Sequence, residues 1–312
     1  MTPRVSIGMP LYNSERYLEQ TLDSILAQTF GDFELIICDN ASTDGTEAIC
    51  RRYAACDRRI TYSRNPRNLG ATYNFNRTFA LAHGEYFRHA AYDDPIEPTY
   101  LERCVALLDA HPEVVLAYPQ SRLIDEDGGP HRGNLRLTDL NLRMPRPHER
   151  FEAYLRIGLA ERLCDPVFGL FRRAVLARTP VIGNYVSSDA ILLGEIALSG
   201  QIAEIPEALF LRRFHKNGSV LANPTIDDRY AWFDPALRGN VWNRLFRWRW
   251  LLELMKAIGR APLGPLERLR CYLALRIFLS RYGFAMARNF AAVVTLALAR
   301  LRPPVGPSPT AL

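Results

Sequence analysis

The stretch at residues 85–95 constrains the fold most strongly, because an aromatic strand candidate runs directly into two carboxylates and a proline. Proline cannot continue a strand, so the strand is expected to end before Pro95. Ligands of an open α/β sheet collect just beyond the carboxyl ends of its strands. Mg²⁺ takes one or two carboxylates and shares the rest of its shell with water and phosphate oxygens. Asp93 and Asp94 therefore predict a metal–diphosphate anchor, with an ordinary Asp-Asp-Pro turn as the alternative.

The residues before this stretch alternate between strand-like and helix-like patterns. Residues 5–9 and 33–38 are short apolar runs, and a segment with one apolar helical face follows the first of them. Such alternation is typical of right-handed β-α-β units and a mainly parallel sheet. Further strands are predicted at residues 114–117, 122–124, 167–171, 202–205 and 209–212, the first two as an edge pair.

The charge of the chain is concentrated in its last part. Residues 241–312 contain twelve Lys or Arg and only two acids, which gives this segment +10 and leaves −4 for residues 1–240. Basic segments with interleaved aromatics bind nucleic acids or anionic membranes. Because no nucleic-acid recognition motif accompanies the charge, we expect no nucleic-acid partner.

The cysteines and the N-terminus bear on the compartment. The six cysteines form no CxxC pair and show no metal-ligand spacing, and the N-terminus leads directly into the first strand without an apolar signal-peptide core. These features predict a cytoplasmic protein with reduced thiols.

The C-terminal segment predicts helices, with two alternative roles. Its most apolar run, at residues 290–301, is a dozen residues long, whereas a membrane span needs about twenty. Basic residues alternate with aromatic ones at Trp242, Phe246, Arg247, Trp248, Arg249, Trp250 and Lys256. This composition is typical of an interfacial amphipathic helix, which predicts peripheral attachment to the inner face of the cell membrane. The alternative is a helical subdomain that packs its own aromatics.

Several segments, taken in order, resemble the family 2 glycosyltransferases, which are inverting nucleotide-sugar enzymes of the GT-A fold. The matching segments are residues 5–13, 22–29, 37–46, 68–70 with Asn76, 82–86, 93–94, 188–189 and 213–215. The resemblance extends over about residues 4–220, and the order and spacing of the segments carry it.

The resemblance implies an α/β protein with a GT-A-like, Rossmann-type, mainly parallel sheet flanked by helices and a C-terminal helical extension. We expect a transferase domain at residues 1–225, with a nucleotide-binding half at about 1–98 and an acceptor half at about 99–225. A basic, aromatic-rich helical region is expected at residues 226–312.

The resemblance also implies roles for single residues on the nucleotide side. Asp39 matches the residue that accepts the imide N–H of uracil, which suits an acceptor-only carboxylate. Pro10 and Tyr12 match residues that wall the base. Nucleotide contacts are likewise implied for Asn13, Asn68, Asn76 and Asp93.

The metal and the acceptor are implied in the same way. Asp93 and His215 match residues that hold Mg²⁺ or Mn²⁺, although Ala91 replaces the first aspartate of the family's Asp-x-Asp motif. Asp189 matches the catalytic base, with Ser188 in place of the usual glutamate; a structural helix N-terminal aspartate is the alternative. Contacts with phosphate or acceptor are implied for Asp94, Arg212, Arg213 and Gly169.

These roles predict a metal-dependent inverting glycosyltransferase. It would move a sugar from a nucleotide-sugar, with uridine diphosphate as the expected nucleotide, to a hydroxyl group of a glycan or lipid-linked glycan in surface polysaccharide assembly. The alternatives are a polyprenyl-phosphate sugar transferase, whose ionised acceptor needs no base, and a non-catalytic nucleotide-sugar-binding protein.

Overall fold

A computed structural model describes residues 2–131, 140–157 and 165–301. The strands are β1 (Val5–Leu11), β2 (Phe33–Asp39), β3 (Ile60–Arg64), β4 (Tyr86–His89), β5 (Val114–Ile124), β6 (Leu170–Arg172) and β7 (Gln201–Arg213). The helices are α1 (Glu15–Leu26), α2 (Thr46–Cys56), α3 (Ala71–Ala80), α4 (Tyr100–Ala110), α5 (Pro147–Ile157), α6 (Arg173–Leu176), α7 (Ser188–Ser199), α8 (Ser219–Ala222), α9 (Ile226–Phe233), α10 (Phe246–Arg260) and α11 (Pro265–Leu301). Short 3₁₀ helices lie at Asp165–Phe168, Pro235–Leu237 and Val241–Leu245.

The seven strands form one sheet in the order β3-β2-β1-β4-β6-β5-β7. β1, β2, β3 and β4 are parallel, and β5 is parallel to β7, whereas β6 runs antiparallel to both of its neighbours. All strands except β6 therefore point the same way, so their carboxyl ends share one edge of the sheet. This confirms the predicted mainly parallel α/β fold and its flanking helices.

Two predictions of strand boundaries are wrong. The edge pair at 114–117 and 122–124 is the single strand β5, and the two late strands are the single strand β7. β5 and β7 pair along their whole length, and the register shifts after Pro119. A proline has no N–H for the ladder, but a bulge accommodates it, so it does not end the strand.

The strand predicted at 167–171 begins instead as a 3₁₀ helix, and only Leu170–Arg172 is extended. Gly169 lies at this junction, where an added Cβ would be 2.7 Å from the carbonyl oxygen of Ala117. The chain therefore passes close against β5 at a point that only glycine fits.

The C-terminal helices complete the core on one face of the sheet. Trp250, Leu254 and Phe278 belong to the same buried cluster as Tyr154 of α5 and Leu193 of α7. Trp250 Nε1 donates a hydrogen bond of 2.7 Å to the carbonyl oxygen of Val186. The C-terminal helices, which follow the expected domain boundary at residue 225, therefore share one core with the sheet and helices that precede it.

Several aromatic side chains that the sequence predicted for the exposed face of an interfacial helix are instead packed inside the protein. Trp250 is buried, Phe246 packs edge-on against it with 5.0 Å between ring centroids, and Trp248 donates to the carbonyl oxygen of Met286. α10 therefore turns part of its aromatic face inward, onto the core that it shares with α5 and α7. None of the described helices is long and apolar enough to cross a membrane.

We predict that the ion pair between Arg260 and Glu195 makes α10 and α7 fold cooperatively. Arg260 donates two hydrogen bonds of 2.8 Å to the carboxylate of Glu195, whose side chain is 4% exposed. Arg260→Met would leave this carboxylate buried and unpaired, and should lower the free energy of unfolding by about 3 kcal/mol. Urea denaturation measures the change.

The double variant Arg260→Met/Glu195→Met should recover most of this loss, because no unpaired charge remains. Arg51→Met, which breaks the exposed pair with Glu47, is the matched control and should change stability by less than about 0.5 kcal/mol. A loss for Arg260→Met no larger than that of the control would contradict the prediction.

Candidate active site

The carboxyl edge of the sheet brings the predicted metal ligands together. His215 lies just beyond β7, and its Nε2 is 2.8 Å from Oδ2 of Asp93, which follows β4. The contact is possible because residues 95–97 cross from β4 to β7, where Leu211 N donates to the carbonyl oxygen of Pro95. Glu97 N likewise donates to the carbonyl oxygen of Leu209, so the segment after Asp94 is fixed along β7.

Arg213 braces this crossing. Its Nε donates to the carbonyl oxygen of Asp93 at 3.0 Å, and its backbone N–H donates to Oδ1 of Asp94 at 2.8 Å. Its Nη2 donates to Gln20, and the guanidinium lies 4.5 Å from the ring centroid of Tyr17. Arg213 is 5% exposed. These contacts hold Arg213 in place within the protein, and the phosphate contact that the resemblance implied stays a prediction.

A second arginine lies on the other side of the same carboxylates. Arg212 forms an ion pair with Asp165, which is buried. Burial raises the pKa of Asp165. Burial, followed by the charge of Asp93, raises the pKa of Asp94 well above its ordinary value. Asp165 is reached only through the fold, because β5, β6 and the 3₁₀ helix before β6 bring it here.

Asp39 ends β2 at this edge and is fully buried. Its Oδ1 accepts a hydrogen bond from the backbone N–H of Ser42 at 2.9 Å, and its Oδ2 accepts one from the hydroxyl group of Tyr62 at 2.9 Å. Arg64 Nε is 3.3 Å from the same Oδ2. The carboxylate is thus held rigidly at the end of the strand.

The residues predicted to wall the base follow β1. Tyr12 is 47% exposed, and Asn13 has a left-handed backbone with φ of 50°. The side-chain oxygen of Asn13 accepts a hydrogen bond from the N–H of Thr43 at 2.8 Å. Pro10 pairs in register with Cys38 of β2, directly before Asp39. The two strand ends therefore present one continuous surface.

The two predicted asparagines have different surroundings. Asn68 accepts hydrogen bonds from Asn40 and from the backbone of Gly70, both at 2.8 Å, beside the end of β2. Asn76 instead exchanges two hydrogen bonds of 3.0 Å with the backbone of Ile182. Asn76 therefore fixes the loop that leads to α7, a role that the sequence did not indicate.

Asp189 is the second residue of α7, and its Oδ1 accepts a hydrogen bond from the N–H of Ala190. The loop before it is tied to α3, where Thr72 donates to the carbonyl oxygen of Gly183. α3 begins at the carboxyl edge of the sheet. The hydrogen bonds from Thr72 to Gly183 and between Asn76 and Ile182 therefore hold the loop before α7 near this edge. Ser188 is buried, and its hydroxyl group has no hydrogen-bond partner among the described residues.

The Asp93–His215 pair fits a divalent cation that also binds phosphate. It offers one carboxylate and one imidazole, and Mg²⁺ sites on phosphate substrates use only one or two protein carboxylates. Nδ1 of His215 is buried and has no partner within the described ranges. In that part of the chain no group of three or more His, Cys, Asp or Glu could hold a metal, so water and substrate oxygens would complete the shell.

A mainly parallel sheet with carboxylates and a histidine at its carboxyl edge is the architecture of GT-A glycosyltransferases. The sequence matches the family described as Glycosyl transferase family 2 over residues 6–179, more than half of the chain. The chain belongs to this family, which confirms the predicted class of enzyme.

Relatives with similar sequences include a putative glycosyltransferase, EpsE, of Bacillus subtilis. It is 38% identical over 127 residues, which are 40% of this chain and 46% of EpsE. An uncharacterised protein of Mycobacterium tuberculosis is 30% identical over 234 residues, 73% of this chain and 63% of that protein. The match therefore extends over about half of the first relative and somewhat less than two thirds of the second.

Solved structures share the fold at low identity. Staphylococcus aureus TarS 1–349 in complex with UDP-GlcNAc superimposes with a TM-score of 0.61 and 18% identity, covering 90% of this chain and 73% of that one. The mannosyltransferase PcManGT of Pyrobaculum calidifontis, in complex with GDP-Man and Mn²⁺, gives 0.51 and 19%, covering 96% and 88%. At these identities the likeness shows the fold alone.

His89 is the last residue of β4, and its burial predicts that the free energy of unfolding falls at acidic pH. Its ring packs against Phe75 and Phe87, and both ring nitrogens lack partners among the described residues. Burial, with the nearby charge of Arg88, lowers the pKa of His89 to about 3. An unfolded histidine has a pKa of about 6.5, so stability is fully present above that pH and falls progressively below it.

We therefore expect His89→Phe to lose less free energy of unfolding than the wild-type protein between pH 7 and pH 4.5, as measured by urea denaturation at each pH. His111→Phe, at an exposed histidine, is the control and should keep nearly the wild-type pH dependence. Identical pH dependence in His89→Phe and the wild type would refute the assignment.

Proposed function

We propose that this protein is a metal-dependent inverting glycosyltransferase that uses a nucleotide-sugar, with UDP as the expected nucleotide. The acceptor would be a hydroxyl group of a glycan or lipid-linked glycan in surface polysaccharide assembly. The observation that supports it most is the 2.8 Å contact between His215 and Asp93 at the edge where Asp39 ends β2. The TarS structure contains UDP-GlcNAc and the PcManGT structure contains GDP-Man and Mn²⁺, which agrees with a nucleotide-sugar donor and a divalent metal.

The proposed reaction is a single displacement. The hydroxyl oxygen of the acceptor attacks the anomeric carbon, and a carboxylate oxygen of Asp189 accepts the proton of that hydroxyl group. The bond between the anomeric carbon and the diphosphate oxygen breaks on the opposite face, so the configuration inverts and UDP leaves. Mg²⁺ or Mn²⁺ bound to Asp93 and His215 would supply positive charge beside the departing diphosphate.

The surrounding residues keep these groups in position. Arg213 holds the backbone of Asp93 and the side chain of Asp94, and Asn76 holds the loop before Asp189. Proximity and orientation can supply much of the rate of such a displacement. The many contacts that fix the position of these groups are consistent with this.

We also propose that the C-terminal region attaches the enzyme to the inner face of a cell membrane. The excess of positive charge in residues 241–312 supports this, because anionic lipids attract basic segments. Such attachment would bring the site close to a lipid-linked acceptor.

Asp189→Asn should lower the rate of sugar transfer at least about a hundredfold, because the amide cannot accept the hydroxyl proton. UDP binding should stay nearly unchanged. Release of UDP and isothermal titration measure the two effects. Asp32→Asn, at an exposed aspartate before β2, is the control. Full transfer activity of Asp189→Asn would refute the assignment of Asp189 as the catalytic base. Transfer by this variant only to a lipid phosphate would favour the polyprenyl-phosphate alternative.

Asp93→Ala should weaken metal-dependent UDP binding at least about tenfold and leave weak metal-free binding in place, because one of the two protein ligands is lost. Titrations with UDP and GDP, each with Mn²⁺ and with EDTA, measure this and the base preference together. Equal affinity of the variant and the wild type in Mn²⁺ would show that Asp93 is not a ligand. Tighter binding of GDP would overturn the proposed uridine preference.

A further inference from the structure

The outward face of α11 carries a row of exposed apolar side chains. Phe284 is 84% exposed, and Leu266, Leu269 and Leu273 are 60%, 55% and 56% exposed. At 100° per residue these four positions lie opposite the row that α11 buries against the rest of the protein. The buried row consists of Cys271, Ala274, Leu275, Phe278, Tyr282, Met286 and Val293. The helix is therefore apolar on two opposite sides, and only one of them is used by the fold.

The exposed row continues onto α10. Leu252 and Met255 are 52% and 42% exposed, and the hydroxyl group of Tyr272 donates to the carbonyl oxygen of Met255 at 3.4 Å. Further along, Phe290 lies 6.2 Å from Trp248 between ring centroids. The two helices thus present one broad apolar surface, which we call the hairpin face. A surface of this kind on a folded protein marks a binding site for a partner or a membrane.

The exposed charges of α11 beside the hairpin face are positive. Arg276, Arg281 and Arg288 are exposed beside it. The sequence of α11 contains a single acid, Glu267, and that carboxylate is taken up by His148 at 2.7 Å and Arg270 at 2.8 Å. A second copy of this chain would bring arginines against arginines across such an interface. Anionic lipid headgroups complement both features, because they offer negative charge above an apolar layer.

We propose that the hairpin face docks α11 in the plane of a bilayer that contains anionic lipids. Phe284 and the three leucines would enter the acyl boundary, and the arginines would lie at the phosphates. The 37 residues of α11 make a helix about 55 Å long, which gives an extended footprint. The inference deepens the membrane attachment proposed above, and it moves the contact from the aromatics of α10 to the outer row of α11.

The test is sedimentation of the full chain with vesicles. Vesicles of phosphatidylcholine with one third phosphatidylglycerol should bind the protein, while vesicles of phosphatidylcholine alone bind it weakly. Leu273→Ser/Phe284→Ser should lower the partition coefficient at least about tenfold through lost apolar burial. The control Leu81→Ser/Leu221→Ser removes two exposed leucines elsewhere and should leave binding unchanged.

A charge variant tests the second feature independently. Arg276→Gln/Arg281→Gln/Arg288→Gln should lose about fivefold in partition per arginine on the anionic vesicles. The wild-type protein should lose affinity in 1 M salt, where screening is strong. Thermal denaturation checks that each variant is folded, and the substitutions in the apolar and charge variants are all at exposed positions of α11.

Two outcomes would overturn the proposal. One is equal vesicle binding by Leu273→Ser/Phe284→Ser and by its control. The other is a wild-type dimer in analytical ultracentrifugation that becomes a monomer in this variant without any vesicle binding. UDP release without vesicles reports on catalysis alone, so an active enzyme that ignores vesicles refutes only the docking. A protein that binds vesicles but turns over no donor refutes only the proposed enzyme.

Discussion

The hydrogen bond between His215 and Asp93 is the contact on which the arrangement of the site depends. The two residues are 122 positions apart and follow strands that do not pair with each other. They meet because residues 95–97 leave β4 and run along β7, and because Arg213 ties this crossing to α1 and to the backbone of Asp93. Arg213 therefore joins α1 and the residues after β4 to the end of β7, beside the proposed metal and diphosphate site.

The same region concentrates negative charge that the fold must hold in place. Asp94 and Asp165 are carboxylates whose pKa values are raised by burial, and Asp93 lies beside them. Arg212 and Arg213 offset part of this charge from β7. A site that keeps carboxylates partly desolvated and close together is well suited to a cation, because the cation relieves the repulsion that the fold maintains. The chemistry and the local electrostatics thus favour the same ligand.

The C-terminal helices connect this site to its surroundings. α10 and α11 share a core with α5 and α7, so the start of α7, which carries Asp189, is packed from below by Trp250 through the carbonyl oxygen of Val186. The hairpin face on the far side of α11 is then attached rigidly to the helix that holds the proposed base. Docking by that face would orient the proposed catalytic edge with respect to the lipid surface, because α10 and α11 share a buried core with α7.

The sequence by itself determined the mainly parallel sheet and the carboxylates at its edge. Strand-helix alternation and an Asp-Asp-Pro terminus are local patterns, and the motif order around Asp39, Asp93 and His215 identified the family. Only the tertiary structure decided that Asn76 holds a loop, that Arg213 is a brace, that Asp165 pairs with Arg212, and that the strands around Pro119 are one. It also decided which apolar row of α11 is covered. A hydrophobic pattern shows that a helix has an apolar side, but the neighbouring helices determine which side they bury, and that depends on contacts between residues far apart in the chain.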